Sequence, residues 1–128
     1  MSEPIVFISH FKIKQGKLDG LKQHSQKMTE LIKAEKLGTV VFLQYFNVEG
    51  TELSIIHVFP DADAFDGHGE GVAERAKAAF EFIERTGIEI YGMPSHQALA
   101  MSIPPDESGI TFKHMPQLNG GYIRFKEE

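Results

Sequence analysis

The sequence contains no cysteine and no tryptophan among its 128 residues. Without cysteine the chain cannot form a disulfide, a thiolate metal site or a cysteine nucleophile, so several enzyme classes are excluded at once. No apolar run reaches the roughly 20 residues needed to cross a bilayer. The first residues, 1–4, lack the basic and apolar regions of a signal peptide. We therefore predict a cytoplasmic protein that does not bind a membrane.

The chain also has little positive charge. Its formal net charge is -5, from 13 Lys and Arg against 18 Asp and Glu. Nucleic acids are bound by clustered cations, whereas the basic residues here are spread along the predicted helices, so we expect no nucleic-acid partner. With 128 residues, of which 41% are hydrophobic, the chain is long enough for one domain with a core and too short for two of ordinary size.

Apolar periodicity divides most of the chain into two halves of the same order, strand, helix and strand. The predicted elements are a strand at 5–13, a helix at 17–36, strands at 39–48 and 53–59, a helix at 72–85 and a strand at 88–91. The strands around the turn at Gly50 should form an antiparallel hairpin. The order βαββαβ predicts an α+β fold, a ferredoxin-like sandwich in which two helices cover one face of an antiparallel sheet.

The other face of this sheet needs a cover. Apolar residues populate both faces of the first two strands, so we expect a homodimer in which a second copy buries the open sheet face around a two-fold axis. We assign residues 1–103 to the ferredoxin-like domain, with 98–103 extending the sheet or crossing to a partner. Residues 104–128 form a C-terminal extension that packs on the body or the partner subunit, with 110–115 and 121–125 as a short hairpin or clamp.

The segment 53–68 carries the chemistry. It is a strand that Pro60 ends, followed by an Asp-led helical turn that delivers His68 to a glycine-rich loop. His57 and His68 therefore lie at one strand-to-helix junction, where an imidazole can take a proton from a phenol near neutral pH. The alternative for His68 is a structural role, capping the next helix or binding a carbonyl. For His57 the alternative is a satisfied histidine of the core or interface.

We expect the ligand to be a small aromatic or lipophilic molecule. Ser9 can donate a hydrogen bond to it, or can relieve crowding where another backbone approaches. Tyr45 and Tyr91 can hold an oxygen of a flat ligand, and Phe11 and Phe65 can supply an apolar wall, although aromatic residues at strand spacing are also ordinary core. No two histidines have the spacing of a recognised metal motif, so no metal site is predicted.

The residues at the end of the third strand resemble the motif of the antibiotic-biosynthesis monooxygenase superfamily, whose members are dimeric α/β barrels. Phe59, Asp61, Ala64 and His68 match that motif, and His57 stands where the family commonly has a glutamate. The resemblance implies a homodimer that oxygenates a small phenolic or quinol-like compound without any cofactor.

The resemblance covers residues 5–101 and leaves the tail outside. The superfamily also contains haem-degrading enzymes, isomerases and proteins with no assigned reaction, so the fold admits several functions. Haem-degrading relatives carry an asparagine on the first strand and a tryptophan near the second helix, whereas this chain has Ser9 and no tryptophan. We therefore expect no haem. Two alternatives stay open: an isomerase or lyase with a histidine as acid–base, and a non-catalytic ligand-binding or stress-associated dimer whose pocket phenylalanine side chains fill.

Overall fold

The structure, a computed structural model, describes residues 3–34, 38–69 and 77–124. Its elements are β1 (Ile5–Ile13), α1 (Leu18–Lys33), β2 (Val41–Phe46), β3 (Glu52–Phe59), α2 (Ala62–Gly69), β4 (Ile83–Tyr91), α3 (His96–Ser102) and β5 (Thr111–Met115), with a short 3-10 turn at Asp106–Ser108. None of the helices in these ranges has both the length and the apolar composition that a bilayer crossing requires.

The five strands form one sheet in the order β2-β3-β1-β4-β5. Strands β1 to β4 pair antiparallel, which confirms the predicted α+β, ferredoxin-like fold and its hairpin between β2 and β3. The hairpin is closed by Asn47, whose Oδ1 accepts hydrogen bonds from the backbone N–H groups of Thr51 and Glu52, at 2.8 and 2.9 Å. Such local side-chain bonds are typical of turns that start with asparagine.

Helices α1 and α2 cover one face of the sheet, which we call the covered face. It is formed by the odd-numbered residues of β1 and β3, because successive side chains of a strand point to opposite sides. Two apolar clusters fill it. Phe59 belongs to the cluster beneath α2, and Leu21 belongs to the cluster beneath α1. The opposite face, which we call the open face, carries the even-numbered residues of these strands.

The second half of the chain departs from the prediction at β4. The sequence pattern predicts a helix through residue 85, but in the structure residues 77–79 are helical and β4 begins at Ile83. Residues 72–76 of the predicted helix lie outside the described residues. Ile83 pairs with Ile13 of β1, and its side chain is buried in the cluster beneath α1. Tertiary pairing therefore outweighs the local helical spacing of the apolar residues.

The C-terminal part also differs. Residues 98–103 were expected in the sheet or crossing to a partner, but they belong largely to α3, which Ser95 caps by accepting a hydrogen bond from the N–H of Ala98 at 3.1 Å. The predicted hairpin is wrong for the residues described: β5 pairs in parallel with β4, and residues 116–124 form no strand. Gly87 allows this approach, because a Cβ there would lie 2.7 Å from Thr111 Oγ1.

Phe59 provides a test of this core. Its side chain is fully buried, and its ring centroid lies 5.2 Å from that of Phe65. Phe59→Ala should lower the free energy of unfolding by about 3–5 kcal/mol, because it removes apolar contacts and leaves a cavity. Val48→Ala, at a fully exposed position, should change it by less than about 0.5 kcal/mol. Urea denaturation measures both; a similar small effect for the two variants would contradict the described core.

Candidate functional site

A cavity of about 550 Å³ lies between the covered face and the helices. This volume is in the range of pockets that enclose small organic molecules. Its walls are mostly apolar and include side chains of β1, β2, β3, β4 and of helices α1, α2 and α3. The aromatic residues of the wall are Phe7, Phe11, Phe42, Phe65 and Phe80.

Helix α2 places His68 at this cavity. The helix begins after Asp61, whose carboxylate Oδ1 accepts a hydrogen bond from the N–H of Ala64 at 2.8 Å and so satisfies a donor of the first turn. It continues to Gly69, so His68 lies in its last turn and not in the predicted glycine-rich loop. Phe65 is three residues earlier and shares the same side of the helix. The side chain of His68 is buried, with 6% of its surface exposed.

Strand β3 places His57 beside it. The His57 ring stacks on Phe42 of β2, with centroids 4.9 Å apart and planes at 18°, and meets Phe7 of β1 edge-on at 6.0 Å. The ring centroids of His57 and His68 are 5.0 Å apart, with an angle of 64° between the planes. The structure therefore brings together the two histidines that the sequence singles out. Among the described residues, no three His, Asp or Glu side chains group as a metal site requires.

Three of the five predicted ligand-binding residues also line the cavity. Ser9 lies on the covered face of β1 and is buried. Phe11 is two residues further along the same face, and Phe65 reaches the cavity from α2, where its ring meets that of Phe7 at 5.7 Å. Their position follows from strand alternation and from the helical spacing that also carries His68.

The structure does not bring the other two predicted residues, Tyr45 and Tyr91, to this cavity. Tyr45 pairs with Ser54 on the open face and is 57% exposed. Tyr91 also points to the open face, where its hydroxyl donates a hydrogen bond to Glu89. Neither residue lines the cavity. The reason is that successive side chains of a strand point to opposite faces. On β2 the side chain of Gln44 points to the covered face, so that of Tyr45 points to the open face.

Sequence reasoning missed Arg85, which lines the cavity from β4. The pairing of β1 with β4 shifts by one residue, since His10 pairs with Gly87 but Phe11 pairs with Arg85. Thr86 is therefore the extra residue of a β-bulge, and the shift turns Arg85 to the covered face. The available signal was Gly87 inside an otherwise strand-like run, which is typical of a bulge.

On the open face, four polar residues form a hydrogen-bond network. His10 Nδ1 lies 2.9 Å from Ser54 Oγ, and its Nε2 bonds to one carboxylate oxygen of Glu89 while the Tyr91 hydroxyl donates to the other. The hydrogen bonds from His10 and Tyr91 hold the pKa of Glu89 below its ordinary value. The hydrogen bond between Tyr91 and Glu89 raises the pKa of Tyr91, because the neighbouring carboxylate disfavours ionisation of the hydroxyl.

Solved structures share this architecture. MupZ from Pseudomonas fluorescens matches with a TM-score of 0.69 over 94% of this chain and 91% of its own, at 20% identity. SnoaB from Streptomyces nogalater, a cofactor-independent oxygenase, matches with a TM-score of 0.60 over 73% of this chain and 96% of its own, at 14% identity. The chain has the fold of the antibiotic biosynthesis monooxygenases. No protein-family profile and no curated protein matches the sequence.

Within this monooxygenase fold, the matches differ in extent. A provisionally assigned antibiotic biosynthesis monooxygenase from Nitrosomonas europaea covers 73% of this chain, with a TM-score of 0.61 and 16% identity, and 92% of its own length is matched. MupZ covers 94% of this chain, so its likeness continues into the segment after residue 103, beyond the stretch 5–101 that carries the motif resemblance.

The Glu89 network predicts a pH-dependent stability. A carboxyl with a lowered pKa in the folded state stabilises the fold when ionised, and this contribution is lost as the pH falls through the folded-state pKa. Glu89→Gln should therefore lower the free energy of unfolding at about pH 7, with the deficit shrinking towards about pH 3. Urea denaturation across this range measures it. Glu84→Gln, at an exposed position of the same strand, is the control. A deficit that is constant with pH would show that the network contributes no such linkage.

Proposed function

We propose that this protein is a cofactor-independent monooxygenase that acts on a small phenolic or quinol-like compound. The observation that carries the proposal is the meeting of two imidazoles, His57 and buried His68, on the wall of an aromatic cavity. A histidine can act as a general base near neutral pH. Apolar walls keep water from the reacting centre and strengthen the electrostatic interactions inside it.

In this reaction the substrate supplies the electrons. His68 accepts the phenolic proton, and the phenolate reduces oxygen as a carbon–oxygen bond forms at the para ring carbon. The imidazolium returns its proton to the peroxide. The O–O bond then breaks as the hydrogen on that carbon leaves, which releases water and a quinone. For 1-naphthol the balance is one naphthol and one O₂ to one 1,4-naphthoquinone and one water. The chain supplies the base and the hydrogen bonds that hold the developing anion.

The neighbouring residues receive supporting roles in this proposal. His57, held by its stack on Phe42, fixes the wall against which the His68 ring lies. The buried hydroxyl of Ser9 donates a hydrogen bond to a ligand oxygen, and the rings of Phe11 and Phe65 contact the flat ligand.

Two findings support this function over the alternatives. The cavity is open, at about 550 Å³, so the phenylalanine side chains do not fill it as a non-catalytic dimer would require. The fold is shared with SnoaB, which is a cofactor-independent oxygenase. An isomerase or lyase would use the same histidines, and oxygen dependence separates it from an oxygenase.

Labelled oxygen tests the proposal. Wild-type protein with 1-naphthol under ¹⁸O₂ should give 1,4-naphthoquinone with one ¹⁸O, measured by mass spectrometry, and none under argon. His68→Ala should slow formation about 100-fold or more, the usual contribution of a general base. His96→Gln, an exposed histidine at the start of α3, is the control and should leave the rate unchanged. Equal rates for wild type and His68→Ala would remove His68 from the mechanism, and proton transfer that persists under argon would favour the isomerase or lyase.

We also propose that the protein is a homodimer through the open face. This face carries large apolar side chains that are substantially exposed in one chain, Leu43 at 44% and Met115 at 52% among them, with Tyr45 beside them. Exposed apolar groups of this size on one surface favour association, and a two-fold interface satisfies both copies with the same residues.

Light scattering after size exclusion tests the dimer. Wild-type protein at micromolar concentration should have twice the mass of one chain. Leu43→Glu should give the single-chain mass, because it places a charge in the apolar interface. Leu31→Glu makes the same change at an exposed position of α1 and should remain dimeric. A single-chain mass for the wild-type protein would refute the interface.

A further inference from the structure

The guanidinium of Arg85 lines the cavity, and no described residue forms an ion pair with it. An arginine has five N–H donors. Within residues 3–34, 38–69 and 77–124, no N–H donor of Arg85 forms a hydrogen bond, and its Nε is fully buried. Burial lowers the pKa of the guanidinium. Its Cζ lies 5.3 Å from the ring centroid of Phe11, a cation–π contact that accepts no hydrogen bond. Such a group costs free energy in the folded protein unless something binds it.

The β-bulge is the reason for this position. With regular pairing through Thr86, Arg85 would pair with Lys12 and lie on the open face, the face to which Glu89 also points. The bulge instead turns the cation away from this carboxylate and into the cavity. The cavity wall contains one described carboxylate, that of Asp66, which accepts a hydrogen bond from Ser95 and forms no ion pair with Arg85.

A second residue of the cavity lining also has a polar atom without a partner in the described part of the chain. His24, on α1, lines the cavity, and its Nε2 is buried with no hydrogen-bond partner among the described residues. Its ring is held against Phe82, with centroids 5.5 Å apart. Arg85 on the sheet and His24 on α1 therefore each bring to the cavity lining a polar atom that has no partner among the described residues.

The sheet register sets the distance between this cation and the histidine pair. Arg85 pairs with Phe11 of β1, and His57 pairs with Phe7 of the same strand. Four residues of a strand span about 13 Å. The cavity therefore has a cationic end and an imidazole end, separated by the length of a flat ligand of two or three fused rings together with one polar substituent.

We infer that the natural ligand carries a carboxylate, which Arg85 binds through the two terminal Nη groups of its guanidinium, at the end of the cavity opposite His57 and His68. The planar guanidinium matches a carboxylate in two parallel hydrogen bonds. The inference rests on the proposed function in one respect: the proposed function makes the end of the cavity at His57 and His68 the place where the ligand reacts. Carboxylate binding itself requires no turnover, so the two proposals are tested separately.

Matched probes test the inference. 2-Naphthoate and 2-naphthamide have nearly the same shape and differ in charge, and calorimetry measures the affinity of each. Wild-type protein should bind the carboxylate at least about tenfold more tightly, since hydrogen bonds between charged groups are the stronger ones. Arg85→Met should lose this preference while binding the amide as before. Lys113→Met removes the same charge on the open face, where its Nζ lies over Tyr91, and should keep the preference.

An arginine spectrum guards against a variant that does not fold. The Nε–H resonance of Arg85, assigned by its loss in Arg85→Lys, should shift when wild-type protein binds 2-naphthoate and stay in place with 2-naphthamide. The inference is overturned by equal wild-type affinities, by a preference that survives in Arg85→Met, or by binding of neither probe at millimolar concentration. Carboxylate preference without oxygen incorporation would refute the monooxygenase proposal and leave the Arg85 site. Oxygen incorporation without carboxylate preference would refute the Arg85 site and leave the monooxygenase proposal.

Discussion

The double pairing of β1 is the constraint on which the cavity depends. Its backbone is hydrogen-bonded to β3 on one side and to β4 on the other, so its side chains cannot change faces without breaking both ladders. A slip of one residue would move Phe7, Ser9 and Phe11 together to the open face. The pairing partners of these residues then decide what else the cavity contains. His57 enters it opposite Phe7, and Arg85 enters it opposite Phe11.

Much of the fold follows from local pattern. Alternation predicted the first three strands, the hairpin and the shared face of Ser9 and Phe11, and the Asp61 cap indicated the helix that carries His68. The face of Tyr45 did not follow, because alternation shows which residues share a side and not which side the helices cover. The start of β4 did not follow either. Its apolar residues have a spacing that a helix also satisfies, and only pairing with β1 decides between the two.

The polar groups of the cavity divide by chemistry. His57 and His68 carry imidazoles, the side-chain group suited to proton transfer, whereas Arg85 carries a guanidinium, which binds anions as a fixed cation. In a cavity with few polar partners, each group acts over a longer distance than it would in water. A ligand that meets both kinds of group is thereby oriented, because its charged substituent and its ionisable hydroxyl prefer different ends. The aromatic side chains between the two ends provide a flat apolar contact surface, which does little to decide which way round a ligand binds.

Because of the bulge at Thr86, the residues of β4 that face the core have odd numbers before the bulge and even numbers after it. Ile88 and Ile90 face the core on even positions, while Ile83 and Arg85 do so on odd ones. If the extra residue moved two positions towards the start of β4, the three isoleucines would keep their places, and a threonine hydroxyl would replace the guanidinium in the pocket. Relocating one irregularity in this sheet would therefore exchange a charged group of the cavity wall for a neutral hydroxyl, with no change in composition and almost none in the hydrophobic interior.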